Sequence, residues 1–340
     1  MTKVKIIGAG FSGLWTAYLM AKKGYDVVLK ETNYPGFGAS SKAAGILSFQ
    51  VPKNMIDISL KSMELYKSLG DDILYWHDSI WLPKDDEFNC ALDILNYLSK
   101  NDIKTKVIYD DMFDGIYIKK GLIISQPTIN IGKALNVLMK NFEIFNGKIN
   151  DDNEGYYDII IYANGPWIQD TLNLKGLVKY KCQAHSVEGK QINSIIEDDI
   201  NEFYYVPESS KRAIIGNGKR IMLSKPEDGF IVDSSEVYNI LEKISNEYKE
   251  ALNMYPVNSW SAPCITTCDG YPVVGEIGKN QYVLSGLNGA GLTLSAGLSD
   301  LLINIIEGKV KQPKYLDPLR FKGNCSKILE IFDNICVNEK

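Results

Sequence analysis

The sequence predicts an α/β fold of two interleaved domains, one around a parallel sheet and one, of α+β type, around a mainly antiparallel sheet. Three observations predict it. An apolar run at residues 4–7 leads through a glycine-rich turn into a helix pattern, and a second glycine-rich turn at 286–293 opens another helix. Between them, residues 202–207 and 219–225 alternate as strands do. A chain of 340 residues is long enough for both domains.

The first glycine-rich turn reads GAGFSG at residues 8–13 and has the form of a dinucleotide-binding fingerprint. Gly8 permits the tight turn, Gly10 lets backbone N–H groups approach a pyrophosphate, and Gly13 lets the following helix lie close to the sheet. The helix predicted over about residues 11–23 points its positive end at the phosphates. A glycine turn that binds nothing is the alternative interpretation, and the element order around the turn favours the nucleotide site.

An acidic residue follows the next predicted strand, at residues 26–30. Glu31 stands where a carboxylate can accept hydrogen bonds from both hydroxyls of an adenosine ribose. A carboxylate there repels a 2′-phosphate. The first 31 residues therefore predict a Rossmann-like unit that binds an adenosine diphosphate moiety.

Composition and charge exclude several classes of function. The net charge is −5, with 37 basic and 42 acidic residues interspersed, so we expect no nucleic-acid partner. No apolar run approaches the roughly 20 residues that span a bilayer, so we expect no transmembrane segment and a cytoplasmic protein, or one peripheral to a membrane. Only three arginines are present, which limits where a bidentate carboxylate clamp can arise.

The six cysteines are scattered, without a CxxC pair, and there are only two histidines, so we expect no metal site. Cys264 and Cys268 form the closest pair. In a strand their Cα atoms lie about 13 Å apart, beyond the roughly 7 Å that a disulfide tolerates. We therefore expect two ordinary thiols. The cysteines are Cys90, Cys182, Cys264, Cys268, Cys325 and Cys336.

Four motifs in order resemble the D-amino-acid oxidase superfamily of FAD-dependent oxidoreductases, and within it the glycine oxidase and D-amino-acid dehydrogenase branches. They are the fingerprint, the small-residue stretch at 36–47, the strand and turn at 158–167, and the segment from 268 to 293. The resemblance implies FAD as the cofactor. It also implies these cofactor-binding residues: Gly8, Gly10, Phe11, Ser12, Gly13, Glu31, Ser40, Ser41, Lys42, Ala44, Gly45, Ile46, Lys148, Ile149, Asn164, Gly165, Trp167, Gly286, Asn288, Gly289, Ala290, Gly291, Leu292 and Thr293.

The position of these motifs implies a chain that leaves and re-enters the FAD domain. Residues 1–50, about 120–175 and about 258–340 are assigned to the FAD-binding domain, because all four motifs fall in them. Residues 51–119 and 176–257 are assigned to the substrate-binding domain.

The resemblance implies oxidation of a small amine or amino acid: a D-amino acid, glycine or an N-alkyl amino acid. The carbon next to nitrogen gives a hydride to flavin N5, and the imine product hydrolyses. The electron acceptor is oxygen or a dye- or quinone-like carrier. A homo-oligomer or a complex subunit is compatible with the chain. Two other functions stay open: a flavin-carrying subunit of a dye-linked dehydrogenase complex, and alcohol oxidation like that of glycerol-3-phosphate dehydrogenases.

The sequence departs from the family where many members place the arginine that clamps a substrate carboxylate. Cys264 occupies that position, and a thiol cannot replace a guanidinium. Strand alternation offers Lys225 first and Arg220 second as the replacement cation, with Lys42 third. Tyr204 and Tyr205 resemble the substrate-side tyrosine, and only one of two adjacent strand residues can face the pocket. Ordinary packing is expected for Cys264, with covalent FAD attachment as the alternative.

Overall fold

The computed structural model describes residues 1–150, 155–190, 192–249, 253–323 and 325. These residues form two β-sheets with helices packed on them. The strands are β1 (Lys3–Ile7), β2 (Asp26–Lys30), β3 (Leu74–Leu82), β4 (Thr105–Phe113), β5 (Ile116–Ile129), β6 (Lys148–Ile149), β7 (Ile159–Tyr162), β8 (Leu177–Glu188), β9 (Ile195–Asp198), β10 (Phe203–Pro207), β11 (Arg212–Gly216), β12 (Ile221–Met222), β13 (Tyr255–Thr267), β14 (Val273–Gly278) and β15 (Gln281–Ser285). The helices are α1 (Phe11–Lys22), α2 (Ile56–Lys67), α3 (Phe88–Lys100), α4 (Ile131–Ile144), α5 (Ile168–Thr171), α6 (Glu236–Glu247) and α7 (Gly291–Ile306).

The smaller sheet has six strands in the order β14-β15-β7-β1-β2-β6. All neighbours are parallel except β14 and β15. The apolar strands β1 and β2 pair as Val4 with Val27 and Ile6 with Leu29, all of them buried, because α1 lies over this sheet and packs against α4 and α7. Strand β2 lies beside β1 on one side and β7 lies beside it on the other, so the strand order reverses at β1. Ligands bind at the carboxyl ends of strands at such a switch point.

The larger sheet has nine strands, with β12-β8-β11-β10-β9-β3-β5-β4 in sequence and β13 paired to β8. Its pairs are antiparallel except for β3 with β9. Helix α6 covers one face, where Val237 and Ile240 join a core with Tyr205 and Ile215. The opposite face of β10 is therefore left to face the smaller sheet. These two sheets confirm the predicted α/β class.

The predicted domain boundaries remain a prediction, and three elements bear on them. Most of β5 and of β13 lies in segments that the sequence assigns to the FAD-binding domain, yet both strands pair within the larger sheet. Helix α2 falls in the predicted substrate-binding domain, and it packs against α7 in the core of the smaller sheet. Residues 324 and 326–340, assigned to the FAD-binding domain, lie outside the described residues.

Two contacts close the segment after β13. Arg320 donates from Nε and Nη2 to the two carboxylate oxygens of Asp269, at 2.8 Å each, and a second bond from Nη2 reaches the carbonyl oxygen of Tyr271 at 2.7 Å. Cys268 forms a disulfide with Cys325. The expectation of an ordinary thiol is wrong for Cys268, because its partner lies 57 residues away in sequence and only the fold brings the Cα atoms to 5.2 Å.

Among the described helices, none has the length and apolar character that a bilayer crossing requires.

Gly297 should be essential for the packing of α2 on α7. A Cβ atom there would lie 2.3 Å from the carbonyl oxygen of Ile58, and the Gly297 N–H donates to Ser62 Oγ at 2.8 Å. We expect Gly297→Ala to lower the free energy of unfolding by about 1–3 kcal/mol, as overpacking does. Denaturant titration measures the change.

Gly132 in α4 is the matched control, since nothing lies within 4 Å of the position that a methyl group would take there. Gly132→Ala should raise the free energy of unfolding by about 0.5–1 kcal/mol, because alanine restricts the unfolded chain. Equal changes in the free energy of unfolding for the two substitutions would show that helix propensity, and not the contact between α2 and α7, determines the effect of Gly297→Ala.

Candidate functional site

A cavity of about 610 Å³ lies at the carboxyl ends of β1, β2 and β7, with walls from both sheets. Of the residues predicted to bind FAD, twenty line it, while Gly13, Ser41, Lys148 and Ile149 do not. Those that line it are Gly8, Gly10, Phe11, Ser12, Glu31, Ser40, Lys42, Ala44, Gly45, Ile46, Asn164, Gly165, Trp167, Gly286, Asn288, Gly289, Ala290, Gly291, Leu292 and Thr293.

The glycine turn has a tight shape that side chains at Gly8 and Gly13 would not allow. Gly8 has a φ of +102°, which side chains rarely adopt, and a Cβ there would lie 2.6 Å from the Ala163 carbonyl oxygen. A Cβ at Gly13 would lie 1.8 Å from the Gly8 carbonyl oxygen. Gly13 thus acts behind the cavity wall by seating α1 on the strands. Gly10 lines the cavity, and a Cβ there would meet Ser40 Oγ at 3.0 Å, so a side chain would press against the neighbouring cavity wall.

Glu31 is held in position at the cavity edge by groups from three segments of the chain. Its Oε2 accepts from the Ala9 N–H at 2.9 Å and its Oε1 from the Asn33 N–H at 3.0 Å. The Asn150 side chain accepts from the Glu31 N–H at 2.9 Å and donates to the Glu31 carbonyl oxygen at 2.8 Å. Asn150 follows Lys148 and Ile149 in β6, so this strand supports the site without lining it. The sequence analysis missed Asn150.

The loop before α7 supplies the opposite part of the cavity wall. Asn288 lies there with a φ of 54°, and its Oδ1 accepts from Thr266 Oγ1 at 2.5 Å. This bond ties the loop to β13. The N-terminus of α7, at Gly291, lines the cavity and supplies positive potential, which stabilises negative charge placed there.

A row of paired residues on adjacent strands of the larger sheet forms the remaining part of the cavity wall. Glu197 in β9 pairs with Tyr204 in β10, which pairs with Gly216 in β11. Directly paired residues share a face, and both Glu197 and Tyr204 line the cavity. The absence of a side chain at Gly216 makes room for the Tyr204 hydroxyl group. On the next strands, Ala184 pairs with Trp260, and both line the same cavity.

The two candidate tyrosines face opposite ways, as the strand alternation requires. Tyr204 faces the cavity, and burial followed by the nearby thiols of Cys182 and Cys264 raises its pKa, so its hydroxyl stays protonated. Tyr205 is fully buried on the α6 side, where its hydroxyl accepts from the Ile192 N–H at 3.1 Å. The structure does not bring Tyr205 into the site.

The three arginines have different surroundings. Arg212 pairs with Glu188 on the surface, and Arg320 is held by Asp269. The guanidinium of Arg220 lies 5.0 Å from the centre of the Tyr180 ring, and its Nη2 is 3.4 Å from the Asn288 carbonyl oxygen. Arg220 therefore lies beside the loop that precedes α7, behind the cavity lining, whereas Lys219 and Lys42 line the cavity itself.

The structure places Lys225 away from the cavity. Its side chain is 65% exposed and lies 3.8 Å from Asp228 at the start of a short helical turn. The strand predicted over 219–225 is only β12, two residues long, so the alternation used to orient Lys225 does not extend to it. Lys42 lines the cavity, and its carbonyl oxygen accepts from Trp260 Nε1 at 2.8 Å.

Cys182 and Cys264 are free thiols that line the cavity on neighbouring strands. A hydrogen bond from Cys264 and the charge of Arg220 lower the pKa of Cys182. The same hydrogen bond, together with burial, raises the pKa of Cys264. Cys264 thus stands in the cavity as a protonated thiol outside any disulfide, as expected, while ordinary packing in place of covalent FAD attachment stays a prediction.

The sequence analysis missed Glu197, Gln50 and Trp260, which line the cavity. Glu197 belongs to β9, a four-residue strand with the sequence Ile-Ile-Glu-Asp, and no motif marks it. The one available signal was a charged residue inside an apolar strand, where charge is costly without a function.

A family model described as DAO, FAD dependent oxidoreductase, matches residues 3–305. The chain belongs to this family, and its cofactor is FAD. The resemblance to the D-amino-acid oxidase superfamily is confirmed. The glycine turn, Glu31 and the N-terminus of α7 all line the cavity, and their chemistry fits FAD.

Particular relatives agree with this assignment. The chain is 22% identical to glycine oxidase from Geobacillus kaustophilus (strain HTA426), over 90% of this chain and 93% of that protein. In structure it is similar to L-proline dehydrogenase from P. horikoshii, with a TM-score of 0.83 at 17% identity, covering 94% of this chain and 98% of that one. Glycine oxidase from Geobacillus kaustophilus gives a TM-score of 0.79 at 19% identity, over 95% and 100% of the two chains.

Removing the Glu31 carboxylate should weaken FAD binding. Glu31→Ala takes away a charged acceptor that is oriented toward the cavity, and we expect a loss of about 1–3 kcal/mol. Glu31→Gln retains one acceptor oxygen and should lose less. The dissociation constant of FAD, measured by fluorescence titration of the flavin-free protein, checks both. Unchanged affinity in the alanine variant would contradict the assignment of Glu31 to the ribose.

Proposed function

We propose that the protein oxidises a small amino acid at the carbon that bears the nitrogen: a D-amino acid, glycine or an N-alkyl amino acid. Bound FAD supplies the hydride acceptor at flavin N5, and the imine product hydrolyses in water. The names of the relatives, an amino-acid oxidase and a proline dehydrogenase, support this class. The observation that carries the proposal is the position of Arg220, a cation 3.4 Å from the carbonyl oxygen of Asn288, which lines the cavity.

Arg220 takes the role that the family gives to an arginine at the position of Cys264. A carboxylate that leaves water for a flavin-lined cavity needs a charged partner. Arg212 and Arg320 are held in ion pairs elsewhere, and Arg220 is the arginine that contacts the loop before α7. A guanidinium can also bind a carboxylate through two parallel hydrogen bonds, which the ammonium of Lys225 cannot do.

Tyr204 completes the carboxylate site in this proposal. Its raised pKa keeps the phenol protonated at neutral pH, so the hydroxyl can donate to a substrate oxygen. Cys264 and Cys182 line the wall near Arg220 as small, weakly polar groups. A neutral substrate amine needs no strong base, so the work of these residues is to orient the substrate and exclude water.

Anaerobic mixing tests the function directly. The FAD-loaded protein should lose the visible absorbance of oxidised flavin when it meets glycine, sarcosine, proline or alanine as separate enantiomers, because two electrons enter the flavin. Bleaching by simple amines but by no amino acid would contradict the amino-acid proposal. No bleaching by either class would support a flavin-carrying subunit of a larger dehydrogenase instead.

Arg220→Met should raise KM for an amino acid by about 10- to 150-fold, which corresponds to a lost charged hydrogen bond of about 1.5–3 kcal/mol. Arg220→Lys should recover part of the loss, since the charge remains without the planar fork. FAD affinity should stay unchanged in both variants.

Lys225→Met is the matched control, because it removes a basic side chain that lies away from the cavity wall and close to Asp228. Steady-state kinetics of the three variants should show the KM effect for Arg220 alone. Normal KM in Arg220→Met, or a raised KM in Lys225→Met, would assign the carboxylate to another cation.

A further inference from the structure

A buried carboxyl group lies in the cavity wall on the side of β9. Glu197 is 7% exposed. Its Oε1 accepts from Ser48 Oγ at 2.7 Å, and its Oε2 accepts from Ser79 Oγ at 3.3 Å and from the Gln126 side-chain amide. Ser48 Oγ itself accepts from the Gln50 N–H at 3.1 Å, so its own proton is available to Glu197. Every one of these partners donates, which suits an ionised carboxylate.

Glu197 has no cationic partner in the part of the chain that the structure describes. Among those residues, no lysine or arginine forms an ion pair with it, and burial raises its pKa against the effect of the three donors. A carboxylate held away from water is costly unless a cation or further donors meet it. Because Glu197 lines the cavity, a bound ligand can supply that group.

A second buried polar group lines the same cavity. Gln50 is 6% exposed, and neither its Oε1 nor its Nε2 has a hydrogen-bond partner among the described residues. An unsatisfied buried amide atom costs about 1–3 kcal/mol. Through Ser48 the main chain of Gln50 is connected to the carboxylate of Glu197. Within the described residues, the Glu197 carboxyl group thus has donors but no cation, and the Gln50 side chain has no hydrogen-bond partner.

This polar group lies at a distance from the site proposed for the substrate carboxylate. Glu197 is opposite Tyr204, and β9 lies two strands from β11, about 10 Å across the sheet. Arg220 stands beyond the end of β11, beside Tyr180 and Asn288. A ligand that reaches both regions would need an anionic group beside Arg220 and a hydrogen-bond donor beside Glu197.

We propose that Glu197 and Gln50 form a subsite for a primary ammonium group on the side chain of the substrate, so that the preferred substrates are basic amino acids. This inference rests on the proposed amino-acid oxidation and deepens it. An ammonium has three donors and no acceptor, and the oxygens of Glu197 and Gln50 are acceptors. The positive charge of the ammonium compensates the buried Glu197 carboxylate. One of its N–H groups can also donate a hydrogen bond to Gln50 Oε1.

Pairs of amino acids that differ only in the terminal amine test the proposal on the FAD-loaded protein. The pairs are ornithine with norvaline and lysine with norleucine, each as both enantiomers, and 6-hydroxynorleucine adds a neutral donor. Anaerobic calorimetry gives dissociation constants for the enantiomers that are not oxidised, and initial rates give kcat/KM for those that are. We expect the basic member of at least one pair to bind tenfold or more tightly than its neutral counterpart, with 6-hydroxynorleucine between them.

Glu197→Gln should abolish this preference while it leaves binding of the neutral amino acids within about threefold, because it removes the charge of the subsite and nearly preserves the shape of the side chain. Gln50→Met should reduce the preference in part. Asp199→Asn is the control: Asp199 is buried two residues further on, its pKa is raised to about 8 chiefly by burial, and it does not line the cavity. That variant should keep the preference.

Three results would overturn the subsite. They are equal binding of basic and neutral members in both pairs, a preference that survives Glu197→Gln, and an equal fall in kcat for all substrates in Glu197→Gln, which would place the reacting amine at Glu197. If Glu197→Gln fails to bind FAD, the preference of Gln50→Met for basic over neutral amino acids replaces it as the test, and an unchanged preference would overturn the subsite. Failure to bind or oxidise any amino acid would overturn the proposed function itself, whereas oxidation of neutral amino acids without a basic preference would overturn the subsite alone.

Discussion

The site depends on how closely α1 approaches the first strand. The position that a methyl group would take at residue 13 lies 1.8 Å from the Gly8 carbonyl oxygen, so the helix can sit there only because Gly13 has no side chain. This contact places the N-terminus of α1 against the switch between β1 and β7. It also brings the Ala9 N–H to Glu31 at 2.9 Å, which orients the acidic residue toward the cavity. One packing distance thus determines the positions of both the glycine turn and Glu31 in the cavity wall.

The second wall of the cavity arises from pairing over long distances in sequence. β9, β10 and β11 bring Glu197, Tyr204 and Gly216 into one row, while Gln126 reaches the same carboxylate from β5. Antiparallel pairing leaves one face of this row for α6 and gives the other to the ligand. The cavity lies between a mainly parallel sheet and a mainly antiparallel sheet, and residues of both sheets line it.

The sequence predicts the cofactor half of the molecule well, because its signals are local. The turn at Gly8, the helix after it and the carboxylate of Glu31 follow from residue types at fixed spacing, and α7 likewise begins beside a glycine-rich turn. The substrate half is predicted less well. The alternation that favours Lys225 requires a strand through residue 225, but β12 ends at Met222 and a helical turn begins at Pro226. Glu197 carries no local signal of its role, since its partners Ser48, Ser79 and Gln126 lie 71 to 149 residues away. The Cys268–Cys325 disulfide was missed for the same reason.

The hydrogen bond from Trp260 Nε1 to the Lys42 carbonyl oxygen, at 2.8 Å, joins the two halves. Lys42 belongs to the loop that lines the cofactor cavity, and Trp260 belongs to the row that forms the opposite wall. Ordering either segment therefore orders the other. By thermodynamic reciprocity, FAD should then increase affinity for the amino acid by the same factor by which the amino acid increases affinity for FAD. Saturation with the amino acid would accordingly lower the concentration of FAD that is needed to fill the protein.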